Sequence, residues 1–542
     1  MLNYNYKAKV NLKEKIFFNF FNKMERTSNI KILLTKKIKK YIKSCIYRNN
    51  MFLLIFFLTY ISLCNGMSKR IDLYINICEI FLLIKGEGVK NILSNSFSTL
   101  PNNISIDNNN QEEIKKSYKF TKSETNILMI YENLNSCDNM FNGLTHIYEI
   151  TLSFSGVSIM SINSMFNGCS SLNKITFLNF DTSNVKDMSY TFYGCSSLTD
   201  LNLNSFITSE VISMSHMFDG CSYLESLDLS NFDTSSVQDM DYMFQRCSSL
   251  TALNIANFNT NNVKSMNYMF DGCSKLSTLD LSHFRTDALT TMISIFEDCS
   301  GLNLIKLPSF STSSSISIDN IFKGCSGLNS IDLSPLNNVN IKSLEYMFSD
   351  CTSLSGINLS YLKTGKVTSM NYMFQNCKNL NNINLSPLNT QNVLTMEYMF
   401  DGCSGLTNID LSHLSTTQVT SMEGIFRDCY KLNSIIYPDL SSGTIQNMNY
   451  MFSGCNFNTI DLTGLTTFSV TSMESMFSGC SNLNTIDLSH LDTGNVQSMD
   501  YMFNGCSSLK KINLSPLVLT NLLSANYMFN DCIRLNEINL SI

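Results

Sequence analysis

Tryptophan is absent from the 542 residues, proline occurs six times and histidine five. Charged residues make up 15 % of the chain, against about a quarter in typical soluble proteins. The shortage of Pro and Trp, beside abundant Asn, Ile, Lys and Ser, reflects an AT-rich coding sequence and selects no function. The shortage of histidine does. His146, His216, His283, His413 and His490 are dispersed; the last three share one position of a repeat, but even the nearest two lie three repeats apart, too far to converge on one reacting atom. No phosphate-binding glycine loop, nucleophile elbow or metalloprotease helix motif is present. The chain is therefore expected not to be an enzyme and to need no cofactor. No two cysteines stand close in sequence and no histidine accompanies them, so the spacing of a structural zinc site is missing too.

Uninterrupted apolar runs are nearly missing, with one exception at Met51–Cys64. Basic residues precede it (Lys39, Lys40, Lys43, Arg48) and Asn65-Gly66 follow. These are the parts of a signal peptide, and the run is short for a membrane-spanning helix, which needs about 20 residues. Fifty residues before it are too many for an ordinary leader. Three readings follow: a true start at Met51 with cleavage after the run, an uncleaved signal anchor, or a segment never used for export. Residues 71–84 are apolar but carry Asp72 and Glu79, which suits the core of an N-terminal cap. Residues 101–125 are polar and read as a linker.

What the chain has in excess is periodicity. Cysteine recurs every 26 residues from Cys169 to Cys455, then continues at Cys480, Cys506 and Cys532 after one step of 25. A phenylalanine stands three residues before all fifteen, from Phe166 to Phe529. A degenerate unit precedes them, with Phe141 and with Leu144 in the cysteine slot. A fixed period of this size marks a stacked repeat protein. Within a unit, Leu227-Asp228-Leu229 alternates as a short strand does. Val237, Met240, Met243 and Phe244 have the spacing of a short helix or 3₁₀ turn with one buried face. Asp233-Thr234-Ser235 supplies N-cap types before it. The residue before the cysteine is Gly, Asp or Asn except at Arg246, which fits a left-handed helix end and predicts strain at Arg246. The expected fold is an α/β repeat solenoid, a leucine-rich-repeat-like arc of about 15–16 repeats. It has a parallel sheet on one face, short helices or 3₁₀ turns on the other, and a length on the order of 70–80 Å.

The run Leu224–Thr234 (Leu-x-x-Leu-Asp-Leu-Ser-x-Phe-Asp-Thr), preceded by Met217–Ser222 (Met-Phe-x-Gly-Cys-Ser), resembles the BspA-like leucine-rich-repeat surface proteins. The resemblance covers about residues 126–542. It implies an exported, surface-displayed protein that works by adhesion or partner binding, and it defines no shared set of binding residues. The expected organisation is residues 1–66 as basic segment plus signal peptide or anchor, 67–125 as N-terminal region and polar linker, and 126–542 as solenoid with its N-terminal cap.

Three features are candidate sites. Outward strand positions carry Asp228, Asp280, Asp332, Asp410, Asp461 and Asp487 in six units and Asn202, Asn254, Asn358, Asn384, Asn513 and Asn539 in six others. This is either a recognition stripe or a solvated ladder of hydrogen bonds. Tyr242, Tyr268, Tyr346, Tyr372, Tyr398 and Tyr450 stand five before the cysteine, with Tyr190, Tyr501 and Tyr527. They form an aromatic column suited either to stacking or to an interface. The cysteine stripe would lie close enough for disulfides. Fifteen members cannot all pair internally, however, and Leu144 in the same slot favours buried, reduced packing. Four of the stripe asparagines and Asn103 begin N-glycosylation sequons.

Charge points the same way. Residues 1–50 hold 13 Lys and Arg against 2 Asp and Glu, whereas residues 151–542 hold 17 against 32. An acidic array is a poor partner for nucleic acid. A protein or glycan ligand is expected, with membrane contact only through an N-terminal signal anchor. The sequence stops just after a strand motif, and that edge would invite self-association. The rival expectations are a self-associating structural spacer and an intracellular repeat scaffold. The irregular units, with Ser313-Ser314-Ser315 and with Ile436-Tyr437-Pro438, are where a contact is expected first.

Overall fold

The computed structural model describes residues 77–311 and 316–540. The segment 51–64, the basic stretch before it and Ser313-Ser314-Ser315 lie outside the described residues. No helix among the described residues is long and apolar enough to cross a membrane.

The described chain begins with β1 (Ile77–Lys85), β2 (Gly88–Asn91), β3 (Asn103–Ile106), β4 (Asn109–Asn110), β5 (Ser117–Phe120) and β6 (Glu124–Glu132). β7 (Ile147–Ser155) and β8 (Lys174–Leu178) follow. The order in the main sheet is β4-β3-β6-β1-β7-β8. β1 turns Cys78, Ile80, Leu82 and Ile84 inward on a strict two-residue period, as one buried face requires. It pairs antiparallel with β6 and β7. Residues 101–125, expected as a loose linker, instead hold β3, β4 and β5. Ile104 and Phe120 are buried there, and β3 pairs with β6 while β5 pairs with β2. Their apolar residues are spread among Asn and Lys, which hid them from a composition reading.

The pairing of β7 with β8 is parallel, and from there each 26-residue unit adds one turn of a β-solenoid. Three-residue strands pair in parallel and in register: Ser226–Asp228 with Ala252–Asn254, Thr278–Asp280 with Leu304–Lys306, Asn408–Asp410 with Ser434–Ile436, and Lys511–Asn513 with Glu537–Asn539. A second set of parallel bridges runs along another side of the turn, for example Asp187–Ser213–Asp239–Ser265–Thr291 and Ser369 through Ser524.

The expected helices are not there. Among the described residues the one helical element is a 3₁₀ turn at Ser334–Asn338. The reason lies in where the amides go. Met240, Tyr242, Phe244 and Arg246 donate to the carbonyls of Ser265, Asn267, Met269 and Asp271, one repeat on. The residues between them, Met243, Gln245 and Cys247, donate three residues back within their own turn. A helix would need every donor for itself. Tyr242 and Arg246 also have φ near +59° and +57°, and a left-handed residue every fourth position breaks a right-handed helix. The apolar 3,3,1 spacing survives because successive tight turns place side chains on one face much as a helix does.

Inside the turns the side chains repeat as stacks. The phenylalanines from Phe141 to Phe529 form one unbroken file, with centroids 5.4–6.1 Å apart and planes within 18°. That is offset stacking in its favoured range. At the 25-residue step the buried Phe457 meets Phe452 edge-on and replaces the missing leucine. Every cysteine from Cys169 to Cys506 is a buried free thiol, and each donates its S–H to the carbonyl of a phenylalanine in the preceding repeat, Cys273 to Phe244 at 3.2 Å. The same carbonyl accepts the Cys247 amide, so the thiol satisfies its second lone pair. Burial pushes these thiols well above their usual range, which keeps them protonated donors.

A column of buried threonines went unnoticed in the sequence. Thr234 Oγ1 donates to the Asn259 carbonyl at 2.9 Å and accepts the Asn259 amide at 2.7 Å. Thr260, Thr364, Thr390 and Thr493 do the same for the residue 25 positions on. One hydroxyl thus pairs both polar groups of a residue that the sheet does not reach. Replacing Thr234 by Val keeps the shape and strands both groups. Urea unfolding of Thr234→Val is expected to show a loss of about 1–3 kcal/mol, while Ser235→Ala, on the half-buried neighbour, stays within about 0.5 kcal/mol of wild type.

Candidate functional site

In-register stacking turns each exposed repeat position into a straight row, and two such rows hold the residues singled out by the sequence. The first follows the strands. Asp228, Asp280, Asp332, Asp410, Asp461 and Asp487 are all exposed. Each directs Oδ1 back to the amide two residues on, at 2.8–3.0 Å. Asn202, Asn254, Asn358, Asn384 and Asn513 make the same bond at 3.0–3.4 Å. This is an Asx turn, which ends the strand and starts the next corner. The row is therefore structural on one carboxylate oxygen of each aspartate; the second oxygen of Asp332 also accepts from the Ser334 hydroxyl, at 2.9 Å. Asn254 additionally donates to Asp228, and Lys306 to Asp280, along the row. At Ile436 the polar row is interrupted by an exposed apolar side chain, while Tyr437 is buried and donates its hydroxyl to the Asp461 carbonyl at 3.1 Å. Tyr437 thus serves the core at the irregular unit.

The second row is the tyrosine column. Tyr190, Tyr242, Tyr268, Tyr346, Tyr372, Tyr398, Tyr450, Tyr501 and Tyr527 all take left-handed backbone, φ +54° to +59°. Where neighbours are present the rings stack face to face. Tyr190, His216, Tyr242 and Tyr268 make one file with centroids 4.4–4.8 Å apart. Tyr346, Tyr372 and Tyr398 make a second at 4.5–5.0 Å, and Tyr501–Tyr527 a third. The files end where Ser294 and Asn320, Gly424 and Ser475 hold the ring's position. Tyr450 stands between two such breaks. Faces within a file are covered by neighbours, so ring edges and hydroxyls are what a file offers sideways. A left-handed non-glycine residue costs roughly 1–2 kcal/mol; stacking, at about 0.5–1.5 kcal/mol per pair, and the inter-turn hydrogen bond offset it.

Beside the column run the chain's buried charges. Asp219 is fully buried, accepts both Nε and Nη2 of Arg246 at 3.0 and 2.8 Å, and meets His216 Nδ1 at 2.9 Å. This pairing holds Arg246 in the left-handed position where strain was expected. Arg427 grips Asp401 through Nε and Nη2, both at 2.8 Å, and lies 4.8 Å from the Tyr398 ring centroid. A Cβ on Gly424 would collide with that ring, so glycine there gives Tyr398 its place. These arginines sit among acids that the repeat otherwise lines up: Asp271, Glu297, Asp298 and Asp350. Among the described residues no three His, Cys, Asp or Glu side chains converge as metal ligands.

The exposed aspartates carry a pH signature. The bonds from the following amide and hydroxyl hold the carboxyls of Asp228, Asp332, Asp410, Asp461 and Asp487 below their ordinary value. The Lys306 ammonium does so first for Asp280. A carboxylate with a lowered folded pKa adds stability above its unfolded value of about 3.9 and loses it as the pH falls through the folded value. Acid titration followed by circular dichroism is expected to show stability falling below about pH 4. The triple variant Asp228→Asn, Asp332→Asn, Asp410→Asn is expected to keep neutral-pH stability, because Asn254 already makes the same turn, and to flatten the acid slope. An unchanged slope would remove the row from the acid response.

The family described as "Mycoplasma protein of unknown function, DUF285" matches residues 135–227, 213–334, 274–360, 342–462 and 438–541. A leucine-rich repeat protein from Bacteroides ovatus is 18 % identical over 71 % of this chain and 83 % of its own, with a TM-score of 0.39. One from Eubacterium ventriosum is 17 % identical over 66 % and 94 %, TM-score 0.36. The functional domain of InlJ from Listeria monocytogenes, described as including a cysteine ladder, is 16 % identical over 64 % and 65 %, TM-score 0.20. No curated protein matches the chain.

Proposed function

The chain belongs to the DUF285 family, and on that premise we propose that it is a non-catalytic recognition solenoid of the BspA-like kind. It would bind a protein or glycan ligand along its exposed rows and be displayed or secreted through the segment before residue 67. The observation that supports this most is the register itself. Parallel pairing repeats the same outward positions along the array, so binding energy is spread over many equivalent contacts. Export is supported by the sequence of residues 51–66 alone, and the acidic array disfavours nucleic acid.

A distributed surface has a mutational signature. The full-length protein, immobilised and challenged with arrays of extracellular proteins and glycans, is expected to give at least one saturable ligand. Tyr372→Ser alone should weaken that ligand less than about threefold. The joint change Tyr346→Ser, Tyr372→Ser, Tyr398→Ser should weaken it about tenfold or more. Loss of all binding from the single change, or no effect of the triple change, contradicts a column-wide surface. Protease shaving of intact cells is expected to release repeat peptides; full protection would place the array inside the cell.

A further inference from the structure

The tyrosine column has one break two rungs wide. Between Tyr268 and Tyr346 the ring positions are held by Ser294 and Asn320. Their backbones match the ring-bearing ones, φ +57° and +58° against +55° at both flanking tyrosines. Their side chains therefore leave toward the space that rings fill elsewhere. Ser294 is fully buried and its hydroxyl has no hydrogen-bond partner among the described residues, a state that is normally destabilising. A polar group aimed at a missing rung and left unpaired is a group placed for a ligand.

The surroundings say which ligand. Elsewhere the protein fills the corner between a column residue and an aspartate with its own guanidinium: Arg427 against Asp401 and Tyr398, Arg246 against Asp219, which also meets the column residue His216. Asp271 occupies the same repeat position as Asp219 and Asp401. The residues that would supply its arginine from the next repeat are Glu297 and Asp298. Among the described residues Asp271 makes no ion pair; its side-chain hydrogen bond comes from the Gln245 amide at 2.7 Å. Burial, with Glu297 and Asp298 beside it, pushes its carboxyl up to about 6. The bases nearby are engaged elsewhere: Lys323 pairs with Glu297 at 2.7 Å and lies toward Tyr346, 5.7 Å from its ring centroid, and Arg246, near enough to lower the Asp271 carboxyl, pairs with Asp219. The Tyr268 end thus has an aromatic ring, a cluster of carboxylates and an orphan hydroxyl, with no cation paired to Asp271 among the described residues.

We propose that this break seats an arginine side chain of a partner protein. Its guanidinium stacks on Tyr268, pairs with Asp271 with Glu297 and Asp298 beside it, and donates to Ser294 Oγ. Arginine is favoured over lysine because its planar fork can stack and pair at once. The proposal rests on the recognition reading above and names the chemistry of one anchor.

A fluorescein-labelled pentaarginine peptide, titrated into the full-length protein at low salt and followed by anisotropy, tests it. Saturable binding is expected, several-fold tighter than for pentalysine. Ser294→Tyr restores the common ring and should weaken binding about tenfold, as should Asp271→Asn. Ser475→Tyr restores a ring where the neighbours are Ser453, Ser478 and Asn504, and should leave binding unchanged. Thermal unfolding of each variant near wild type shows that the array is intact. No saturable binding, equal effects of Ser294→Tyr and Ser475→Tyr, or no effect of Ser294→Tyr overturns the seat. If ligand capture on the arrays persists through that failure, recognition stands and only this anchor is wrong; loss of both removes the recognition reading.

Discussion

Every second amide along the turn arc donates across to the next repeat, and the rest of the structure depends on that pairing. It fixes register between turns whose strands are only three residues long, too short to do so alone. Register then puts like on like: phenylalanine on phenylalanine, thiol beneath carbonyl, threonine hydroxyl against peptide. Each stack is worth little per rung, but a solenoid sums nearest-neighbour terms along its length. The same pairing demands left-handed residues five and one before the cysteine. Glycine, Asp, Asn and, once, Arg246 serve at the second position, and tyrosine at most of the first, where stacking within a file offsets the strain.

Much of this was legible in the sequence. The 26-residue period, the phenylalanine and cysteine slots, the Leu-Asp-Leu strands and the left-handed residue before the cysteine all follow from spacing and residue type. Leu144 correctly marked its slot as core. The turn arc was not legible, because Val237, Met240, Met243 and Phe244 have the spacing of a helix face. Only the destination of the amides separates stacked turns from a helix, and sequence does not print it. The threonine column was hidden in a chain rich in Ser and Thr, since nothing local distinguishes a buried bridging hydroxyl from a cap. Asp228 and its counterparts were visible as a row, but their Asx role appears only with the corner they hold.

Function, in such an array, is written in the exceptions. Uniform rungs provide rigidity and a regular surface; Arg246, Arg427, His216 and the small residues at 294, 320, 424 and 475 make one stretch differ from another. Charge follows the same logic. Where an aspartate beside the column has an arginine from the next repeat, the corner is closed within the chain. Where the next repeat supplies acids, as at Glu297 and Asp298, the aspartate has no guanidinium on it. An acidic, repetitive surface with few internal cations fits a partner that brings its own.

The most direct test is amide hydrogen exchange read by mass spectrometry over peptides spanning residues 169–505. The inter-turn pairing predicts that turn segments such as 239–247 exchange as slowly as the strands, because their amides are bonded across repeats or within tight turns. Rapid exchange of those segments beside protected strands would contradict it.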